Sequence, residues 1–455
     1  MDEARRVRSD APHDRPEPRP SASTARCVGA LHVPAIPLEP TSLRPGTPRV
    51  RVAAVGDLAF GPGVARQLQA QGPEYPFRNI RFLLADADLR FGNLEYPLTT
   101  SPRRHPIVRH GHECAPPEAV KALAHAGFDV LSVANNHIFD CLDDGLADSV
   151  SLLARHGIGC VGAGSSLAAA RAPAVRVVNN MRLGFLAYTF PLHQIATENS
   201  CGCAPNDPEI MCEDVRCLKP HVDHIFVSIH AGPEFSTYPT VECQRDSRAL
   251  LDEGATAVLH HHGHVPKGIE VYRERLIAYG LGNFLCDIHD PYFRSARCDL
   301  VDVGMILYLD LDPLGVVSFS VHPTRITPGL AVEPVDDALR ESLTRFVDSI
   351  SQPLYDTAAL ATLQVGRSIG AKVQRLILKA RRNGLHKLFR ELCADVTNAF
   401  VRQVWDGFRT WALHRELRKS PHHIEPNRPV LNHMTPEPPH VNPSTIGRLP
   451  ASEPQ

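Results

Sequence analysis

Residues 255–264 read Ala-Thr-Ala-Val-Leu-His-His-His-Gly-His, a short apolar run followed directly by histidines. The apolar part, Ala255–Leu259, has the length and composition of a buried strand, so the histidines fall where that strand ends. His262 and His264 would then lie at one edge of a sheet, where neutral imidazoles can bind a divalent cation. Taken alone, the run is equally compatible with a solvated, histidine-rich loop.

The pattern of a buried strand followed by polar residues recurs elsewhere in the chain. Apolar, β-branched runs predict further strands at Arg51–Val55, Phe128–Val133 and His224–Ile229. Amphipathic segments at 117–126 and 144–156 predict helices between them, and 303–321 predicts a closing hairpin. Residues 48–325 therefore have the alternation of an α/β domain.

The polar residues that follow these runs are of metal-binding types. They are Asp57, Asn93, Glu95, Asn135, Asn136, His137, His230, His262 and His264. Carboxylate, amide and imidazole groups together are the ligand set of a two-metal hydrolytic site. Loops after the carboxyl ends of strands meet at one edge of an open α/β sheet, so we expect these residues to share one centre.

These motifs make the sequence resemble the CapA family, which is linked to bacterial poly-γ-glutamate capsule synthesis, within the calcineurin-like metallophosphoesterase superfamily. The resemblance covers the predicted α/β domain and rests on several motifs in family order. They are Gly56-Asp57, Asn93–Thr99, Ala134–Asp140, Gly162–Gly164 with Ala170–Pro173, His230–Phe235, His261–Val265, and Gly280–Phe284 with Asp287.

The resemblance implies a four-layer α/β/β/α metallophosphoesterase-like sandwich that binds two divalent metal ions, of Mn, Fe or Zn. Glu95 would bridge the two ions, at a position where most superfamily members have Asp. Asp57 and His264 would complete the protein ligands of the first ion. The ligands implied for the second ion are Asn136, His230 and His262.

The resemblance also implies roles for residues beside the metals. His137 would act as the general acid or charge stabiliser while the ions activate water and hold the oxygens of a phosphoryl or acyl group. Asp140 and Glu234 would support the site indirectly, for example by orienting an imidazole that binds the metal. Asn283 would either do the same or simply belong to a glycine-rich structural turn.

Four positions depart from the usual pattern. Ala59 stands where the wider superfamily has a histidine ligand, which leaves the first ion with fewer protein ligands; the CapA branch shares this loss. Ala231, His260 and Gly263 stand where the family usually has Trp, Gly and Pro, and we expect them to change the rim of the pocket rather than its ligands. Of the histidine run, His260 is therefore expected to be lost with least harm.

The chain has twelve cysteines and no signal-peptide pattern, so we expect free thiols or metal ligands rather than disulfides. Four of them lie close together in a segment with turn composition: Cys201, Cys203, Cys212 and Cys217. Four thiolates could hold a structural zinc. Because their spacing contains no Cys-x-x-Cys pair, free loop thiols remain the alternative.

The composition changes outside the α/β domain. Residues 1–47 and 420–455 are rich in proline and predict disordered tails. Residues 336–419 predict a separate helical C-terminal appendage, and 366–420 carries thirteen Lys/Arg and four Asp/Glu, a net of 13 − 4 = +9. Such helices could bind a protein partner or lie on a membrane surface, or could leave their basic side chains solvated.

The overall charge, 48 − 50 = −2, does not favour nucleic-acid binding. No apolar run is long enough for a transmembrane segment, which predicts a cytoplasmic protein, whereas the capsule proteins of the resembled family are usually tethered by an N-terminal helix. Two functions stay open. One is a metal-dependent hydrolase or transferase acting on a small-molecule or peptide-polymer substrate in poly-γ-glutamate-type biosynthesis, and the other is a non-enzymatic accessory or scaffold protein.

Overall fold

A computed structural model of the chain describes residues 49–105, 114–190, 194–296 and 300–363, together with the short strand 447–448. The predicted tail 1–47, most of the tail 420–455 and the appendage from residue 364 onwards lie outside the described residues. Gly447–Arg448, although within the range predicted to be a tail, pairs with a strand of the domain.

The described strands are, in chain order, β1 (Val50–Leu58), β2 (Leu89–Leu94), β3 (Val130–Ser132), β4 (Gly159–Val161), β5 (Ala163–Gly164), β6 (Ala174–Val178), β7 (Met181–Thr189), β8 (Gly202–Cys203), β9 (His224–His230), β10 (Ala257–His261), β11 (Ile269–Tyr272), β12 (Arg275–Ala278), β13 (Asn283–Leu285), β14 (Val303–Asp312), β15 (Gly315–Ile326), β16 (Val332–Pro334) and β17 (Gly447–Arg448). The described α-helices are α1 (Pro62–Gln71), α2 (Arg81–Leu84), α3 (Ala119–Ala126), α4 (Leu142–Arg155), α5 (Leu167–Arg171), α6 (Pro208–Leu218), α7 (Val241–Glu253), α8 (Pro291–Ala296) and α9 (Asp337–Ser351). The predicted strands correspond to β1, β3, β9 and β10, and the predicted hairpin to β14 and β15, so these predictions are confirmed.

Two large sheets form the centre of the domain. The first has the order β16-β15-β14-β1-β2-β3-β4, with β13 also beside β1 and β17 beside β15, and the second has the order β11-β12-β10-β9-β7-β6. Strands β1 to β4 run parallel, and so do β7, β9, β10 and β12. The carboxyl ends of β1, β2 and β3 therefore share one edge of the first sheet, and those of β9 and β10 share one edge of the second.

The space between the sheets is filled by alternate strand residues. In β1, Val50, Val52 and Ala54 face the second sheet and belong to the core between the sheets. Phe91 of β2 stacks on Phe185 of β7 across that space, with ring centroids 5.4 Å apart. This alternation is what a strand with both faces covered requires, because successive side chains point to opposite sides.

The outer face of each sheet is covered by helices. Ala53 and Val55 of β1 pack with residues of α1, α3 and α4 in one outer cluster. On the other side, Ile225 and Val227 of β9 pack with residues of α6 and α7. The layers are therefore helix, sheet, sheet and helix, which confirms the α/β/β/α fold class.

Helix α9 extends the domain beyond residue 325. Its N-cap, Asp336, accepts a hydrogen bond from the N–H of Leu339 at 2.8 Å. Leu343 and Phe346, both almost fully buried, join the core between the sheets. The range predicted as a separate appendage thus begins with a helix that packs on the domain, because its apolar face is wide enough to bury.

One pair of cysteines is linked. Cys114 and Cys141 form a disulfide, with Cα atoms 6.7 Å apart. The prediction of free thiols is wrong for this pair, because the chain segments before α3 and before α4 bring the two Cα atoms within disulfide range.

None of the helices in the described ranges has the length and apolar character needed to cross a bilayer.

Candidate metal centre

Asp57 lies at the end of β1, where a neighbouring turn packs closely on the strand. The Asp57 N–H donates to the carbonyl of Gly282 at 3.0 Å, and Gly282 has a φ of 72°. A Cβ atom at position 56 would lie 1.8 Å from that same carbonyl oxygen. Glycine at positions 56 and 282 therefore allows the turn to reach the strand, and it brings Asn283 to the site.

The Asp57 carboxylate is buried among polar groups. Oδ1 accepts a hydrogen bond from Asn93 Nδ2 at 2.9 Å and lies 3.4 Å from His261 Nδ1, while Oδ2 accepts from the His262 N–H at 3.2 Å. Burial alone would raise the pKa of Asp57, but the imidazoles of His261, His230 and His264 more than offset it, so the pKa is lowered. Asp57 is thus an ionised carboxylate in the interior.

Glu95 occupies the centre of the cluster. Its Oε1 atom lies 3.8 Å from His230 Nε2 and 3.8 Å from His264 Nε2. Ligand-type atoms of Asp57, Glu95 and His264 all lie within 4.8 Å of one another, and all three residues are buried. A carboxylate oxygen placed equally between two imidazoles suits a ligand shared by two cations.

Asn136 and His230 lie together beside Glu95. Asn136 Oδ1 is 2.7 Å from His230 Nε2, and the His230 Nδ1 is 3.2 Å from Asn93 Nδ2. Burial, followed by the neighbouring His262, lowers the pKa of His230 well below its usual range. The imidazole is therefore neutral, which is the form that binds metal.

The histidine run belongs partly to a strand and partly to a loop. His260 and His261 are the last residues of β10 and pair with Ile229 and His230 of β9, so the strand begins and ends two residues later than predicted. In the loop that follows, His262 and His264 have φ values of 79° and 56°, in the left-handed region that non-glycine residues rarely adopt. This backbone reverses the chain direction and keeps both rings at the site.

His264 is oriented by the turn that follows β12. Its Nδ1 lies 3.0 Å from Asn283 Oδ1, and Asn283 Nδ2 donates to the Val301 carbonyl at 2.9 Å. Because the Asn283 oxygen accepts a hydrogen bond from Nδ1, the lone pair of His264 is on Nε2, the atom that faces Glu95. Asn283 therefore contacts both a residue of the candidate site and the backbone of a neighbouring segment.

His262 is buried next to Glu234. Its Nε2 lies 3.7 Å from Glu234 Oε1, and its Nδ1 has no hydrogen-bond partner within the described part of the chain. Burial, followed by the charge of His264, lowers the pKa of His262 to about 3, so the ring is neutral at neutral pH. A second group of converging ligand atoms consists of Glu234, His262 and His264.

His137 lies at the side of the cluster and is partly exposed. Its Nδ1 is 2.8 Å from the buried carboxylate of Asp140, and its backbone N–H donates to Asn135 Oδ1 at 3.0 Å. Its ring makes an edge contact with Tyr96. The contact with Asp140 fixes the orientation of the His137 ring.

Two residues of this cluster did not enter the predicted ligand set. Asn93, fully buried, contacts Asp57, His230 and Asn135 and so connects three strand ends. His261 lies against Asp57. Strand periodicity could have found His261, because it shares a face with Leu259, two residues earlier, which belongs to the core between the sheets.

His260 differs from the expectation that it is dispensable. It is buried on the outer face of β10, where its Nε2 lies 2.7 Å from Ser247 Oγ and its ring stacks on Tyr279. Burial lowers the pKa of His260 to about 3. The side chain therefore joins the strand to α7 on the outer face of the sheet.

The four clustered cysteines are not brought together in the same way. Cys203 is buried under the site, with its Sγ 3.7 Å from the Asn135 carbonyl, and burial raises the pKa of its thiol to about 12. Cys212 and Cys217 are on α6, and Cys217 is exposed. The groups of converging metal-ligand atoms found in the described ranges include none of the four cysteines.

The residues at the strand ends fit divalent cations. Asp57 and Glu95 place two carboxylates in the interior, and the ion pairs described for them are with histidines. Two carboxylates buried together place negative charge in the interior that a cation would balance, and the low pKa of His230 leaves its imidazole in the form that binds one. The fold and the site together define an α/β/β/α protein with a candidate metal centre.

Comparison with protein families assigns the chain to a family. The sequence model described as "Bacterial capsule synthesis protein PGA_cap" matches residues 51–288, more than half of the chain. The chain therefore belongs to this family of bacterial capsule synthesis proteins, as the motifs predicted. The matched range contains every residue of the candidate site.

Individual relatives agree with this assignment. The chain is 32% identical to the PGA biosynthesis protein CapA of Bacillus subtilis over 290 residues, covering 63% of this chain and 74% of that protein. It is 29% identical to the capsule biosynthesis protein CapA of Bacillus anthracis over 288 residues, covering 60% and 69%. It is also 29% identical, over 314 residues, to a probable polyglutamine synthesis accessory protein of Mycobacterium tuberculosis, covering 62% and 80%.

Two solved structures align with the structure of this chain at low TM-scores and low sequence identity. A hypothetical protein from Thermus thermophilus aligns with a TM-score of 0.37 and 16% identity, covering 60% of this chain and 98% of that one. A putative 5'-nucleotidase from Staphylococcus aureus aligns with a TM-score of 0.36 and 12% identity, covering 66% and 58%. At such TM-scores the alignments add nothing to the four layers observed directly.

Proposed function

We propose that this protein is a metal-dependent hydrolase or transferase that acts on a phosphoester or an acyl or peptide-like bond in the biosynthesis of a poly-γ-glutamate-type polymer. The observation that carries the proposal is the position of Glu95 Oε1, which lies 3.8 Å from the Nε2 atoms of both His230 and His264. Two bound cations of Mn, Fe or Zn would activate a water molecule and neutralise charge on the reacting group.

The ligands divide into two sets around Glu95. Asp57 and His264 would hold the first ion, and the neighbouring ligand atoms of Asp57, Glu95 and His264 support this set. Asn136, His230 and His262 would hold the second ion, and the contact between Asn136 and His230 supports their proximity. Ala59, at the position of a histidine ligand in the wider superfamily, adds no ligand to the first set.

His137 would supply the proton that the reaction needs. Asp140 is buried and accepts a hydrogen bond from Nδ1 of His137, which fixes the ring orientation, and Nε2 would donate the proton to a leaving group. The buried carboxylate also stabilises the imidazolium that forms when His137 takes a proton back. Asp140 is therefore a positioning residue, and His137 is the candidate general acid.

The names of the relatives support the biosynthetic setting. Two are named for capsule or PGA biosynthesis and one for a role as a synthesis accessory protein. The substrate proposed here is accordingly a γ-glutamyl polymer or a small-molecule precursor of it. A non-enzymatic accessory role is the competing proposal, and the experiment below separates the two.

The first experiment measures metal content by plasma emission spectrometry and activity on aryl phosphomonoesters, aryl phosphodiesters and γ-glutamyl peptides. The wild type is expected to bind two cations. His137→Ala should keep both cations and lose activity by about 10²–10⁴-fold, whereas His262→Ala should lose metal. His221→Ala, at an exposed position outside the cluster, is the matched control and should behave like the wild type.

Two results would contradict the proposal. A wild-type protein that binds no divalent cation would remove the dinuclear centre altogether. A protein that binds two cations but is as inactive as both variants towards every substrate class would instead favour the accessory role.

A further inference from the structure

Glu234 is a carboxylate at the mouth of the candidate metal centre. Its side chain is 35% exposed, whereas the adjacent side chain of His262 is 8% exposed. Among the described ion pairs, Glu234 takes part in one, with His262. It belongs to the segment His230–Phe235, in which the sequence predicts His230 as a ligand and Glu234 as a support of the site.

The distance between Glu234 and His262 does not match a supporting role. Oε1 of Glu234 lies 3.7 Å from Nε2 of His262, which is too long for a hydrogen bond. Two ligands of one tetrahedral cation, each bound at about 2.0–2.1 Å, have their donor atoms about 3.3 Å apart. The observed separation is within about half an ångström of that value. The two atoms are thus spaced as co-ligands.

The segment that carries Glu234 is held in place by the rest of the site. The Phe235 N–H donates to the carbonyl of Gly263, between the two loop histidines, at 2.9 Å. Lys267 Nζ, on a buried side chain, donates to the Pro233 carbonyl at 3.1 Å. Phe235 itself has a φ of 52°. Glu234 is therefore fixed relative to the histidine loop on both sides.

The second carboxylate oxygen of Glu234 also has a partner. Tyr292, on α8, donates its hydroxyl proton to Glu234 Oε2. A ligating carboxylate is commonly held in this way, with one oxygen on the metal and the other hydrogen-bonded to a neighbouring side chain. Oε1 is then the oxygen directed to His262.

We propose that Glu234 binds, through Oε1, the same cation as His262, and that Tyr292 positions it. This inference rests on the proposed dinuclear centre and adds a ligand to its second ion. Because Glu234 is at the mouth of the site, that ion would be the one nearer to solvent and to an incoming substrate. Carboxylate binding would also lower the net charge of the ion and its ligands.

The test is a double-mutant cycle on metal affinity, with Mn²⁺ and Zn²⁺ as separate titrants of metal-free protein followed by isothermal titration calorimetry. Glu234→Gln keeps the size of the side chain and should weaken one of two binding events by about 100-fold or more, above the 10–100-fold typical of a supporting residue. If Glu234 and His262 share one ion, Glu234→Gln should change little further on the His262→Ala background. On the Asp57→Asn background its effect should remain in full.

Tyr292→Phe should weaken the same event by about 10-fold, since it removes only the hydrogen bond to the ligand. Glu341→Gln, an exposed glutamate on α9, is the matched control and should leave both events unchanged. Two intact binding events of wild-type affinity in Glu234→Gln would overturn this inference and leave the dinuclear centre standing. Absence of any binding in the wild type would instead remove the centre itself, so the two failures are distinct.

Discussion

Two regions of the molecule concentrate residues of metal-binding types, and the fold treats them differently. The strand-end cluster, defined as Asp57, Glu95, Asn136, His230, His262 and His264, is spread over more than two hundred positions of sequence yet is gathered within a few ångströms. The cysteine segment, residues 201–217, is compact in sequence, but its thiols lie on β8, on α6 and on the loop before β8, at different depths.

The difference shows that sequence proximity is a poor guide to ligand convergence. Parallel strands place their carboxyl ends at one edge whatever the length of chain between them. In the cysteine segment, Cys203 points into the core while Cys217 is exposed on a helix.

The largest effect is expected from Asp57→Asn. The change removes one negative charge from a buried cluster while keeping the shape of the side chain, so the affinity for one cation should fall by more than about 100-fold. The Cys212→Ser, Cys217→Ser double variant should keep the zinc content of the wild type. If zinc were lost from the double variant and retained in Asp57→Asn, the cysteine segment rather than the strand-end cluster would be the site that binds zinc.

A smaller effect is expected from Asp140→Asn. The amide oxygen can still accept the hydrogen bond from Nδ1, but it lacks the negative charge that stabilises the imidazolium, so turnover should fall by about 10-fold or more and the pH profile of kcat should shift. The content of bound metal should not change. Restoration of activity by Asp140→Glu would support positioning of His137, whereas a loss of metal in Asp140→Asn would mean that Asp140 acts on the ligands instead.

His260→Ala should act on stability rather than on metal binding. The variant loses a buried ring, its stacking on Tyr279 and its hydrogen bond with Ser247, and the free energy of unfolding should fall by about 2–3 kcal/mol. Urea unfolding in the presence of a chelator measures this without a contribution from metal. Ser247→Ala, which keeps the His260 ring but removes its hydrogen bond and the one from Ser247 Oγ to the Cys243 carbonyl, should cost about 1 kcal/mol. Equal stability of His260→Ala and the wild type would contradict the buried role.

The smallest effect concerns thiol reactivity in the cysteine segment. Because burial raises the pKa of Cys203 to about 12, almost all of its thiol stays protonated at pH 9 in the folded protein. Exposed Cys217 should be alkylated by iodoacetamide, and Cys203 should remain unmodified until the protein unfolds. Mass spectrometry of peptides resolves the two. Protection of all four thiols that disappears on chelation would instead indicate a zinc site.

Much of the fold and of the site was predictable from sequence because both follow simple periodicities. Ala255–Leu259 and Arg51–Val55 are short apolar runs, and a buried parallel strand requires such runs. The positions of His262 and His264 followed from where one of these runs ends. The left-handed φ values of these two histidines did not follow, because no local propensity favours them and tertiary packing has to impose them.

Other features depended on contacts between distant segments and could not be read locally. The end of β10 was predicted before His260 because a polar residue usually ends a buried strand. Inside the domain, however, Ser247 hydrogen-bonds to the His260 ring and Tyr279 stacks on it. Asn93 was noted as a strand-end residue, but its three contacts come from separate strands. Helix α9 was predicted to belong to an appendage because its sequence alone does not indicate the surface on which its apolar face packs.

The packing of α9 has a consequence for where the chain can be shortened. Phe346 fills the space between the sheets, and Leu354 and Leu360, which follow it, are fully buried against the outer face of the second sheet. A truncation at residue 335, shortly after the predicted domain end at residue 325, would expose this apolar surface to solvent and favour aggregation. A truncation after residue 363 would keep it covered, so the smallest unit that stays monodisperse should include about forty residues beyond the last predicted strand.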